Sequence, residues 1–168
     1  MNANGSPDET AATTEENVAP TLAVVAQYIK DLSFEVPGAP AIYAALQNSQ
    51  PDITVNIDVK AAPVEGEMFE VVLTINAKCD VAGTTAFVGE LSYGGLFSVT
   101  GPSETLQPIL LIECPRLLFP FARNIIADAT RDGGFPPLML APVDFVSMFQ
   151  NQLAQQAAAA QAEQAEQA

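Results

Sequence analysis

Twenty carboxylates and no histidine leave this 168-residue chain few means of moving protons. Without an imidazole, a Ser-His-Asp triad, a Cys-His pair and a His-ligated metal site are all excluded. Cys79 and Cys114 are too few for a four-cysteine zinc site and neither sits in a CxxC pair, so no metal and no cofactor are expected. GGLFSVTG has glycines but neither phosphate-cradle spacing nor a following lysine. The acids most worth testing are Asp31 and Glu35, in DLSFE. Four residues apart on a strand they stand roughly 13 Å from each other, whereas a glycosidase-type pair needs about 5 to 9.5 Å. Glu90, from another strand, could complete a pair. With no other recognisable constellation, the chain reads as a non-enzyme.

The elements that position these acids are legible from periodicity. Residues 23–36 alternate as a strand, with Leu32, Phe34 and Val36 on one face and Asp31, Ser33 and Glu35 on the other. PGAPAIYAALQNSQP follows as a connection punctuated by proline and glycine, more apolar at Ile42, Tyr43 and Leu46 than a solvated loop needs. ITVNIDV and MFEVVLTINAKCDV alternate as a second and a third strand, and TAFVGELSYGGLFSV as a fourth. On the fourth, Phe87, Gly89, Leu91 and Tyr93 share one face, and Val88, Glu90 and Ser92 the other. Four strands without intervening long helices imply an antiparallel sheet. From Ser103 the period becomes helical, with Pro108, Pro115 and Pro120 expected to kink or break its early part. The regular helix is expected over FPFARNIIADATRD, stopped by Gly133 and Gly134, followed by an extended FPPLMLAPV and a last helix from about Val143. The fold class is α+β: a four-stranded antiparallel sheet with a long kinked helix and a shorter C-terminal helix, leaving one sheet face uncovered.

Charge and composition bound the partners. An apolar share of 49% supports a sizeable core. Residues 1–21 read as a disordered acidic segment, 22–153 as the folded domain, and 154–168, rich in Ala and Gln, as a frayed or disordered tail. Residues 22–150 hold fourteen acids and six bases, so the folded part itself is acidic. The six bases are scattered, which excludes nucleic acid and favours a basic protein partner. No basic, apolar leader is visible and the apolar runs fall short of the roughly 20 residues that span a bilayer. The cytoplasm, with both cysteines reduced, is the expected compartment.

Five stretches resemble the SecB protein-export chaperone family: KDLSFEVPGAP at 30–40, EVVLTINA at 70–77, AFVGELSYGGLFSVTG at 86–101, CPRLLFPFAR at 114–123 and GGFPPLMLAPVDFVSMF at 133–149. Their occurrence together and in order is highly specific. The resemblance implies a homotetramer, built as a dimer of dimers with helices sandwiched between sheets. It also implies an ATP-independent holdase that keeps preproteins unfolded and delivers them to the SecA motor. Matched motif by motif, the SecA-facing positions are Asp31, Glu35, Val88 and Glu90, and the subunit-interface positions are Gly89, Leu91 and Tyr93. The runner-up is a SecB-like chaperone dedicated to a single unstable partner such as an antitoxin. Members often carry a tryptophan before the second strand, and this chain has none. Gly89 is also smaller than expected at its position.

An unfolded client needs a surface distinct from an acidic one. The candidates are Ile42, Tyr43 and Leu46 in the connection, Phe87, and Phe135, Leu138, Met139 and Leu140 in the proline-held loop, where buried apolar side chains contribute about 1.5 to 3 kcal/mol each. Ordinary core packing fits Phe135, Leu138 and Leu140 as well.

Overall fold

A computed structural model of the chain describes residues 19–166, and side chains up to residue 162. The acidic segment expected at 1–21 lies outside the described residues except for its last three. The sheet contains β1 (Thr21–Glu35), β2 (Pro51–Pro63), β3 (Met68–Val81) and β4 (Thr84–Thr100), all antiparallel, in the order β1-β4-β3-β2. Three hairpin-connected strands with the first lying beside the last make a Greek key. The β3–β4 turn needs only Ala82 and Gly83, both at positive φ (50° and 77°), as a two-residue hairpin matched to strand twist requires.

Odd-numbered residues of β3 and β4 face the helices, and the burial shows it. Val71, Leu73 and Ile75 are fully enclosed, as are Leu91, Phe97 and Val99 on β4. Opposite them lies a helical span running without a gap from Ser103 to Asp132: α2 (Ser103–Pro108), a π-helical segment (Ile109–Glu113) and α3 (Cys114–Asp132). The prolines do not break it. Pro108 and Pro115 flank the π-helical segment, whose wider turn accommodates missing donors and ring bulk. Cys114, Leu118, Ala122 and Ile126, four apart, form the stripe of α3 that meets the sheet. Gly133 caps α3 and Gly134, at φ 87°, turns the chain away.

Three elements depart from the expected pattern. The connection after β1 is not plain loop, because Ile42–Leu46 forms a short helix, α1, whose Ile42 is buried. β1 is not one uninterrupted alternation either: its register against β4 slips at Val25 and again at Lys30. A bulge inserts one residue and shifts the face of everything beyond it. The last helix, α4 (Phe145–Glu166), begins two residues later than expected and continues along the Ala/Gln tail.

Candidate functional site

The even-numbered side of β3 and β4 carries no helix. Strand register places Ser33 opposite Glu90 and Glu35 opposite Val88, so Glu90 lies diagonally between Asp31 and Glu35 on one open face. The four residues expected to face SecA are thereby brought together. Asp31, Glu35 and Glu90 are exposed and Val88 half-buried. None of the three acids has an ion-pair partner among the described residues. Nor does any group of three His, Cys, Asp or Glu among those residues stand close enough to hold a metal. The carboxylates are thus spread as a charged surface, not gathered as a coordination site.

Three lysines stand on this face: Lys60 has no ion-pair partner among the described residues, while Lys30 and Lys78 are each tied to an acid outside the set. Lys30, the bulge residue, donates to both carboxylate oxygens of Glu70 at 2.9 and 2.8 Å. The Tyr28 hydroxyl donates to the same carboxylate at 2.6 Å. Its ring crosses β4 at Gly94, where an added Cβ would come within 2.6 Å of it, so a larger residue there would have to displace the ring. The Lys30 ammonium, and then the Tyr28 hydroxyl, hold the Glu70 carboxyl below its ordinary range, while the Glu70 bond pushes the Tyr28 phenol up to about 12. At the other end Lys78 pairs with Asp80 at 2.9 Å, and the Thr85 hydroxyl donates to Asp80 at 2.9 Å. Lys78 and Thr85 together lower the Asp80 carboxyl.

The apolar candidates divide into wall, backing and outliers. A cavity of about 150 Å³ is lined by Leu46, Phe87, Phe135 and Leu138, together with Pro51, Ile53 and Cys79. Ile42 and Tyr43 back this wall without lining it: the Tyr43 ring meets Phe135 at 5.6 Å and its hydroxyl donates to the Gly133 carbonyl at 2.8 Å. Phe87 meets Phe135 edge-on at 5.0 Å and Phe34 at 5.4 Å. Leu140 belongs to the main core, and Met139 points outward with 59% of its surface exposed. Thr130, at the end of α3, holds the loop in place, donating to the Ile126 and Ala127 carbonyls and accepting from the Leu138 N–H at 2.9 Å. Burial, with the nearby Asp80 and Asp52 charges, raises the Cys79 thiol, so it serves the cavity as an apolar surface.

Sequence periodicity missed Pro51, Ile53 and Cys79. The signal was present but non-local, since Ile53 and Cys79 share the covered face only because β2 and β3 pair them.

The residues expected at a subunit interface lie on the covered side. Gly89 is packed by the Phe34 ring, Leu91 is buried in the core, and Tyr93 stacks on Phe121 at 6.4 Å while donating to Gln27 at 3.2 Å. Phe121 itself is 52% exposed.

Comparison with known proteins agrees with this architecture. The family described as "Preprotein translocase subunit SecB" matches residues 15–156. Proteins named protein-export protein SecB are similar across most of their length. That of Granulibacter bethesdensis is 50% identical, covering 88% of this chain and 91% of its own. That of Maricaulis maris is 57% identical (84% and 83%), and that of Rhodopseudomonas palustris 54% (95% and 93%). Among solved structures, a SecB-like chaperone of Mycobacterium tuberculosis in complex with a peptide from an antitoxin superposes with a TM-score of 0.56. It is 18% identical and covers 73% of this chain and 91% of its own, a likeness of fold. With a family match spanning most of the chain and relatives above 50% identity, the chain belongs to the SecB family of protein-export chaperones.

Proposed function

We propose that this protein is a cytoplasmic, ATP-independent holdase that keeps preproteins unfolded and delivers them to SecA. The observation that carries the reading is the separation of two unlike surfaces. The acids of the open face, Asp31, Glu35 and Glu90, have no ion pair among the described residues, while the apolar cavity of Leu46, Phe87, Phe135 and Leu138 lies on the side that the loop covers. A client in the cavity therefore leaves the acidic face free for a basic partner. Each exposed pair there is worth only about 0 to 1 kcal/mol, so several must act together.

Repetition in a homotetramer supplies that multiplicity, and four chains at −14 each would carry −56, enough to steer a basic partner. Apolar surface left over on the single chain supports assembly: Val24, Val25, Ile29 and Leu32 are exposed along the edge strand β1, and Leu117 and Phe121 along α3. Gly89, Leu91 and Tyr93 contribute from beneath, Tyr93 by fixing the Phe121 ring that meets the neighbouring subunit. General export is favoured over service to one antitoxin because the relatives named for export are about 50% identical or more. The antitoxin-bound chaperone shares only the fold.

The test measures two activities on one sample: suppression of aggregation of a preprotein diluted from denaturant, and binding of SecA followed by sedimentation. Both are expected from a tetramer. A monomer that holds clients and ignores SecA would sink the delivery half of the proposal.

A further inference from the structure

An exposed lysine beside an exposed aspartate can pair with it where a bulge lets both border one face. On the open face that does not happen, although Lys30 precedes Asp31 directly and both border one shallow depression on the sheet. Lys30 reaches instead across β4 to Glu70 on β3, which the Tyr28 hydroxyl holds at 2.6 Å. The other end of the face repeats the arrangement. Lys78 lies opposite Val88, itself opposite Glu35, yet pairs with Asp80, which the Thr85 hydroxyl holds at 2.9 Å. In both places a lysine that could neutralise a docking carboxylate is bound by an acid outside the docking set, and that acid is fixed by a hydroxyl.

We infer that Glu70 and Asp80 are positioning residues for partner docking: they sequester Lys30 and Lys78, and so keep Asp31 and Glu35 unpaired and available to a basic segment. This rests on the proposal that the acidic face docks SecA. The physical reason is competition for one counter-ion. A free lysine within reach of Asp31 would occupy the carboxylate before the partner arrives, and the partner would have to displace it. Exposed pairs are individually weak, so even a modest internal competitor consumes a large share of the docking energy.

A double-mutant cycle separates sequestration from the simple loss of one negative charge. SecA affinity is measured at low salt for the tetramer with Glu70→Gln, Lys30→Met and the pair combined. The set is repeated with Asp80→Asn and Lys78→Met, and Lys60→Met serves as a charge-matched control on the same face. Glu70→Gln is expected to weaken binding about two- to fivefold. The combined variant should bind as tightly as Lys30→Met alone, because Glu70 acts only through Lys30. Lys60→Met should not rescue Glu70→Gln. An equal loss from Glu70→Gln in both backgrounds, as a uniform field would produce, overturns the inference, and so does no loss at all. Asp31→Asn and Glu90→Lys distinguish the two levels. If they weaken SecA binding while Glu70→Gln does not, sequestration alone fails; if they leave it unchanged, the docking proposal fails first. Retained suppression of client aggregation by every variant excludes misfolding as the cause.

Discussion

The two faces of one sheet in this protein obey opposite rules, although their residues alternate along the same strands. On the covered face, Leu73, Ile75, Leu91 and Phe97 are enclosed by α3 and lose nearly all contact with water. On the open face, charged groups either pair, as Lys30 does with Glu70 across strands and Lys78 with Asp80 along β3, or stand alone, as Asp31 and Glu90 do. The first face holds the fold by area removed from water, and the second contributes little to stability. What it does instead is present charge in a fixed register. The difference teaches where substitutions should hurt: changes on the covered side register as stability and client holding, and changes on the open side as partner affinity.

The sharpest test of that division is Phe87→Ala. The ring is buried between Phe34 and Phe135 and forms one wall of the cavity. Its removal is expected to cost about 3 to 5 kcal/mol in denaturant unfolding, in line with other buried aromatic truncations. Client holding should fall while SecA affinity of the folded fraction stays constant. Loss of SecA affinity in proportion to stability would mean that the two faces are not separable.

Thr130→Val probes the join between helix and loop. The hydroxyl is the acceptor for the Leu138 N–H, and without it a half-buried donor loses its partner, at a cost of about 1 kcal/mol. Hydrogen exchange at the Leu138 amide should accelerate by more than that at the β3 amides. Equal acceleration everywhere would place Thr130 in the global core instead of at the hinge of the cavity loop.

Glu90→Lys sharpens the comparison from the other side. On an exposed face it should change stability by no more than about 0.5 kcal/mol, yet reverse the sign at the centre of the proposed docking set. A roughly tenfold loss of SecA affinity at low salt is expected, shrinking as salt screens the pairs. Client holding should be untouched.

How much of this was readable beforehand follows from the same contrast. The alternation of β2, β3 and β4 was legible, as was the sharing of a face by Asp31 and Glu35 and by Val88 and Glu90, because period two is local and no bulge intervenes between Asp31 and Glu35; that the two pairs lie on one face was implied only by the family resemblance and follows here from strand register. The slips at Val25 and Lys30 were not, since a bulge alters which way a side chain points without altering composition. That is why the Lys30–Glu70 bridge was hidden. The helix α1 was hidden as well, because proline and glycine around it read as loop. In the cavity, the aromatic members announced themselves by type, whereas Ile53 and Cys79 are brought there by strand pairing alone. Pro108 and Pro115 misled in the other direction, for the π-helical segment they flank absorbs what would otherwise be a break, and Pro120 stands inside α3 without ending it.

The smallest expected effect lies in the network that keeps the open face in order. Glu70 is bonded by Lys30 and by Tyr28, and the ammonium has the greater hold on its carboxyl. Tyr28→Phe should therefore raise the Glu70 pKa only part of the way to the ordinary carboxylate range, and Lys30→Met should raise it further. Because the folded-state value is depressed, the stabilisation that Glu70 contributes is present above its unfolded pKa and is lost as pH falls through the lowered folded value. Carbon-detected titration of the Glu70 carboxyl in the three proteins measures the order directly. If Tyr28→Phe alone returns Glu70 to its ordinary range, the hydroxyl, and not Lys30, holds the carboxylate. The lysine would then be only loosely sequestered and free to visit Asp31, and the boundary between the structural and the docking charges of this face would dissolve.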